Sequence, residues 1–174
     1  MDLDWEYPGD YSRGSLPQHR RQFTLLCQEL SVAYKSKGLL VSAAVRASVR
    51  ATIESYEVRK ISQALDFVSL MTYDLYGSWA RSTGHHTTTD PKAIPDNVEL
   101  TVKTWIQKGA KPEKLVLGLA TYGRTLTLAN KCNANIGSAS IGNGQAGAYT
   151  KLNGFLAYYE ICNVKWDSLS LIHI

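Results

Sequence analysis

Cysteine is scarce in this chain. Cys27, Cys132 and Cys162 make an odd number without a C-x-x-C pair, which excludes any reading from paired-cysteine motifs. Cys27 falls on the apolar face of a helical segment and reads as a buried thiol. Cys132 and Cys162 could form a disulfide with each other or with missing segments, and three cysteines do not settle the redox compartment. Long apolar runs are also missing, so no window reaches the length of a membrane-spanning helix. No leader-like segment precedes the first strand. There is no N-x-S/T acceptor for glycosylation. Polybasic runs are absent too. The net charge is +4, spread out except for small clusters at His19, Arg20 and Arg21 and at Arg46 and Arg50. That distribution excludes nucleic acid as a natural partner. What remains, 174 residues with 44% hydrophobic and 20% charged, suits one globular domain. Both ends look abrupt, as in a fragment. The chain opens inside a strand and closes on Ser168-Leu-Ser-Leu-Ile-His-Ile174 without a cap or turn.

The most informative stretch comes first: Asp2-Leu-Asp4-Trp-Glu6-Tyr-Pro8. Residues i, i+2 and i+4 of a strand share a face, which predicts Asp2, Asp4 and Glu6 together. Crowded carboxylates must bind a cation, share protons or move a pKa upward. A glutamate with a raised pKa is what a general acid needs near neutrality. Leu3, Trp5 and Tyr7 alternate with the acids, and Pro8 ends the strand. An exposed edge strand and a carboxylate metal site are the other readings of the same letters.

Downstream, the pattern alternates strand and helix. A turn-rich loop at 9–16 leads to a helix from Pro17 to Lys35, with Phe23, Leu26, Cys27, Leu30 and Tyr34 as its stripe and Gly38 beyond its end. Leu39-Leu-Val-Ser-Ala-Ala-Val45 reads as a buried strand, and Tyr56 to Leu65 as a short helix. Asp66-Phe-Val-Ser-Leu-Met-Thr-Tyr-Asp74 is a third strand. A polar loop spans Leu75 to Pro95. Asp96 and Glu99 form a capping box for a helix carrying Val98, Val102, Trp105 and Ile106 and ended by Gly109. Lys114-Leu-Val-Leu-Gly-Leu-Ala120 is a fourth strand. This order predicts parallel strands with crossover helices, an α/β fold.

From Thr125 the pattern changes. Thr125-Leu-Thr-Leu-Ala129 alternates like an antiparallel strand, and 155–161 reads as a short apolar helix. Gly142-Asn-Gly144-Gln-Ala-Gly147 matches a dinucleotide fingerprint by letters only. It lacks the preceding strand and following helix, so it reads as loop. Polar groups recur at strand ends: Asp4 and Glu6, Tyr73 and Asp74, Tyr122 and Arg124. In a parallel barrel that is the catalytic rim, although Arg124 could simply neutralise Asp74. His85 and His86 lack a third ligand and read as a solvated loop.

These residues resemble the chitinases of glycoside hydrolase family 18. The acid stretch resembles the end of that family's strand-four signature, D-x-x-D-x-D-x-E. Ser42-Ala-Ala-Val45 resembles strand five, and Met71-Thr-Tyr73-Asp74 with Gly77-Ser-Trp79 resembles strand six and its loop. Thr121-Tyr122-Gly-Arg124 resembles strand seven, and Ala157-Tyr-Tyr-Glu-Ile-Cys162 a helix of the family's insertion domain.

The resemblance implies a partial TIM (β/α)8 barrel with a small α+β insertion after the seventh strand. Residues 1–124 would form the barrel part, 125–162 the insertion and 163–174 a divergent tail. It implies substrate-assisted, retaining hydrolysis of chitin or chito-oligosaccharides by a secreted protein, monomeric when full-length, with no cofactor and no metal. Glu6 would be the acid and base. Asp4 would orient the acetamido group while sharing a proton with Asp2, and Tyr73 would hold the acetamido oxygen. Met71, Asp74, Trp79, Tyr122 and Arg124 would bind substrate. Trp5 would pack away from the acids. Tyr76 and Arg46 depart from the family's usual residues, which points to altered subsite preference. A chitin-binding lectin on the same fold is the rival reading. Residues 1–174 by themselves are expected to be poorly stable or inactive, since a barrel of this type needs about 250 residues.

Overall fold

The computed structural model describes residues 1–90, 96–162 and the backbone of 172–173. The end of the polar loop at 91–95 and most of the tail from 163 lie outside the described residues. The chain divides into two compact units, Met1–Thr72 with Val98–Gly118, and Tyr73–Asn97 with Leu119–Ile174.

The first unit is a parallel sheet with covering helices. Its strands are β1 (Asp2–Leu3), β2 (Ser42–Arg46), β3 (Phe67–Met71) and β4 (Leu115–Leu117). They lie side by side in chain order, every pair parallel. These are the parallel strands with crossovers that the alternating pattern predicts, in the strand-by-strand succession of the partial TIM barrel that the resemblance implies. The crossovers carry α1 (His19–Lys35), α2 (Val49–Ser55), α3 (Val58–Ala64) and α4 (Val98–Gln107).

Burial explains why these segments hold. Phe23 and Cys27 on α1, Val68 and Leu70 on β3, and Tyr56, Ile61 and Trp105 are all at most 1% exposed. Burial raises the Cys27 thiol pKa to about 12, so it is an inert core group. Leu26 of the expected α1 stripe is instead exposed, and Thr24 and Ser31 take the inner face. Ser31 is satisfied there by donating to the Ala64 carbonyl at 2.6 Å.

Two boundaries differ from expectation. The sequence pattern gives a single helix at 56–65, but α2 precedes α3. Its start is fixed by Ser48, whose hydroxyl accepts the Ala51 N–H at 3.2 Å. Tyr56 lies between the two helices, and its buried phenol oxygen accepts the Arg46 N–H at 3.0 Å. The second strand also begins later, at Ser42, because Leu39 and Leu40 are exposed ahead of it.

The second unit is built on β5 (Tyr122–Leu128), which pairs antiparallel with β6 (Ser140–Asn143), β7 (Phe155–Ala157) and β8 (Ile172–His173). The antiparallel expectation at 125–129 holds, with the strand starting earlier. Residues 155–161 are not one helix: β7 comes first and α5 covers only Tyr158–Ile161. The Asn153-Gly154 turn, with Gly154 at φ 76°, reverses the chain so that Phe155 enters the ladder.

Two of the glycines at 142–147 are close-packed against side chains of this chain. A side chain at Gly144 would strike Thr125, and one at Gly147 would strike the Glu160 carboxylate. That carboxylate accepts hydrogen bonds from the Tyr149, Thr150 and Ala157 amides and the Thr150 hydroxyl at 2.7–3.0 Å. Cys132 and Cys162 are both exposed and are not bonded to each other, so the first of the two pairings is not formed here. The Cys162 N–H donates to the Tyr158 carbonyl at 3.0 Å.

Candidate active site

The residues singled out by sequence form two clusters, one in each unit. The acidic cluster belongs to the parallel sheet. β1 stops at Leu3, so of the three acids only Asp2 sits on a regular strand. The ladder ends there because β2 pairs with β1 only through Ser42 and Ala43. The alternation nevertheless persists beyond it: Asp2, Asp4 and Glu6 are exposed, while Leu3, Trp5 and Tyr7 are half-buried. Trp5 packs on His19 and Phe23, with ring centroids 5.4 and 6.1 Å away. It is a packing residue, as the alternation predicts.

The acids sit close enough to influence one another. The Asp4 carboxyl pKa is raised, first by burial and then by the charges of Glu6 and Asp2. The Ser42 hydroxyl donates to Asp2 Oδ1 at 2.6 Å. Burial and then the neighbouring Glu6 carboxylate push the Tyr7 phenol up to about 12. Arg13 pairs with Glu6 at 3.2 Å. The guanidinium groups of Arg13 and Arg46 each lie 5.0 Å from the Tyr7 ring centre. Arg46 also pairs with Asp10 at 2.8 Å. Together with Tyr11 and Arg50, these two residues line a cleft of about 440 Å³.

The second cluster is centred on Asp74. It follows β3 in sequence and has a left-handed backbone with φ 55°. Arg124 grips its carboxylate with two hydrogen bonds, Nε at 2.7 Å and Nη2 at 2.6 Å. Burial pushes the carboxyl up, but the hydrogen bonds from Arg124 and Tyr122 and the Arg124 charge outweigh it, and the pKa is lowered. Arg124 is therefore the partner of Asp74. Tyr122 and Arg124 do not cap a parallel strand, as the rim reading expects. Both lie inside β5, whose ladder with β7 joins Tyr122 to Ala157 and Arg124 to Phe155. The rings of Tyr122 and Phe155 stack at 4.9 Å, with Tyr73 edge-on to Tyr122 at 6.0 Å.

His86 corrects a further expectation. It is completely buried, not solvated. Its ring lies 4.9 Å from that of Tyr122, and Nδ1 accepts the Asp74 N–H at 3.2 Å. Nothing in the letters separates His86 from His85; only the tertiary contacts do. Trp79 lies in a 3-10 turn (Ser78–Ala80), is 64% exposed, and rests its ring over Gly77. Met71 closes β3 in the first unit and is half-buried. Tyr76 packs on Gly84 and hydrogen-bonds Ser82. Among the described residues no group of three His, Cys, Asp or Glu side chains is arranged to hold a metal ion.

Carboxylates following the first strand of a parallel sheet are an arrangement that suits glycoside chemistry. The family model for glycosyl hydrolases family 18 matches residues 1–171. The chain belongs to that family. It is 40% identical over 178 residues to chitotriosidase-1 of Mus musculus, covering 95% of this chain and 38% of the mouse protein. Catalytic domain 2 of the Ostrinia furnacalis Group II chitinase is similar in structure, with a TM-score of 0.85 and 39% identity, over 92% of this chain and 44% of that one. Human YKL-39, described as a pseudo-chitinase with retained chitooligosaccharide binding, superposes with a TM-score of 0.82 at 36% identity, over 92% and 46% of the two chains. This family 18 chain thus spans less than half the length of these relatives.

Proposed function

We propose that residues 1–174 carry part of the catalytic apparatus of a secreted, monomeric chitinase that hydrolyses β-1,4-linked N-acetylglucosamine with retention of configuration. Glu6 protonates the glycosidic oxygen. The acetamido oxygen of the bound sugar attacks its own anomeric carbon and forms a cyclic oxazolinium ion, so the protein supplies no nucleophile. Asp4 orients the acetamido N–H and shares a proton with Asp2. Tyr73 holds the acetamido oxygen in line. Glu6 then draws a proton from the water that opens the ring. Met71, Asp74, Trp79, Tyr122 and Arg124 bind the sugar chain, and Arg46 shapes a neighbouring subsite. Residues 1–124 act as the barrel part and 125–162 as the insertion.

The observation that carries this reading is the family 18 match over residues 1–171 together with the exposed acids Asp2, Asp4 and Glu6 alternating with half-buried Leu3, Trp5 and Tyr7. Proton sharing is the natural relief of crowding among those acids. A sugar-binding protein without hydrolysis is the second reading, favoured by the likeness to YKL-39. The presence of Glu6 favours the hydrolase.

The test is Glu6→Gln in a full-length barrel containing residues 1–174, with a chromogenic chitin oligomer. The amide cannot donate the acid proton, so hydrolysis should fall by about 10²–10⁴-fold while oligomer binding persists. A parent protein that binds but never cleaves would establish the lectin instead.

A further inference from the structure

His86 is fully buried, yet both of its ring nitrogens reach the backbone of residues in the Asp74 cluster. Nδ1 faces the Asp74 N–H at 3.2 Å, and Nε2 faces the Tyr122 carbonyl at 3.2 Å. An amide N–H can only donate and a carbonyl can only accept, so the two contacts fix one tautomer, with the proton on Nε2. The His86 main chain adds a third tie, its carbonyl accepting the Leu75 N–H at 3.0 Å. Asp74 meanwhile keeps a left-handed backbone, φ 55°, a conformation uncommon for residues with a side chain, though aspartate tolerates it better than most. That conformation is the one from which its carboxylate meets both guanidinium nitrogens of Arg124.

We infer that His86 is a positioning residue. Its neutral ring bridges the Asp74 amide and the Tyr122 carbonyl, and so holds the carboxylate–guanidinium pair and the Tyr122 ring in the geometry that receives an N-acetylglucosamine unit. The sugar end of this inference rests on the proposed function; the bridge itself does not. Burial keeps the imidazole neutral, pushing its pKa below the ordinary histidine value. Neutrality matters because a proton on Nδ1 would leave the Asp74 N–H facing another donor. The role needs one acceptor and one donor on a short planar group, and an asparagine amide offers both. A phenylalanine offers the bulk and the stacking on Tyr122 and neither polar contact.

The experiment compares His86→Asn with His86→Phe in a full-length barrel containing residues 1–174. Two readouts are taken: the nitrogen spectrum of the imidazole together with the Asp74 amide signal, without sugar, and the affinity for N-acetylchitotetraose. Parent His86 should show the Nε2–H tautomer. His86→Asn should keep the Asp74 amide signal near its parent position and bind within about threefold of parent, whereas His86→Phe should move that signal and bind at least about tenfold more weakly, on the scale of losing a buried polar contact. Equal affinity in the two variants, at matched melting temperatures, would reduce His86 to filler and overturn the inference. The opposite tautomer would do the same. A parent that binds the tetramer without cleaving it would sink the hydrolase reading alone, since neither readout depends on turnover.

Discussion

Asp74 shows how one residue can be under two opposed influences. Burial disfavours its charge, while the two-pronged grip of Arg124 and the Tyr122 phenol favours it, and the second influence wins. A depressed folded pKa contributes stability that is present above the unfolded carboxylate value, about 3.9, and lost as pH falls through the folded value. Removing the guanidinium leaves burial opposed chiefly by the Tyr122 hydrogen bond. Arg124→Ala should therefore raise the Asp74 carboxyl, read by a carbon NMR titration, and flatten the acid limb of the stability curve. Because 37% of the Asp74 side chain is exposed, solvent screening limits the pair to about 1 kcal/mol. An unchanged Asp74 titration would mean that Tyr122 alone sets it. The Asp74–Arg124 pairing was legible in the letters as two opposite charges near strand ends. The constraint on Asp74 was not, because it comes from His86, 12 residues away in sequence and buried.

Among the elements, those with a clear period were legible and those fixed by one local contact were not. The four parallel strands and the helices at 19–35 and 98–107 follow from apolar periodicity. Helix α2 escaped because its seven residues are too few for a period, and its beginning depends on one serine hydroxyl. Strand β7 escaped because Phe155, Leu156 and Ala157 run straight into α5, and an apolar run of that length does not distinguish strand from helix. The Asn153-Gly154 turn was the available signal. The end of β7 is secured by Glu160, whose carboxyl is pulled down to about 2: burial pushes it up, but three amides and a hydroxyl push it further down. By the same linkage, its stabilisation is complete above about 4.3 and lost as pH falls towards 2. Glu160→Gln should lower the melting temperature at pH 6 and have little effect near pH 2. Gly147→Ala should cost about 1–3 kcal/mol at either pH, because its methyl has to displace a pinned carboxylate. A melting temperature unchanged by Gly147→Ala would show that the loop yields freely.

At the scale of the whole molecule, the parallel sheet has two outer strands, β1 and β4, each paired on one side only among the described residues. A TIM barrel removes such edges by closing its ring, and the chain spans 44% of the Ostrinia domain it resembles. The exposed apolar side chains near the sheet follow the same logic. Val116 and Leu117 on β4 are each 47% exposed, and Leu39 and Leu40 ahead of β2 are 50% and 60% exposed. Exposed apolar side chains on an edge strand such as β4 promote association. Residues 1–174 expressed alone should therefore run above 19.3 kDa in light scattering, bind a hydrophobic dye and hydrolyse no chitin oligomer. Val116→Lys with Leu117→Lys should shift the population towards monomer without restoring hydrolysis, because charge on an edge blocks pairing but supplies no missing strand. A monodisperse monomer of the unaltered chain, unfolding in one cooperative step, would mean that four parallel strands and their helices bury enough surface to stand alone, and the need for closure would fall with it.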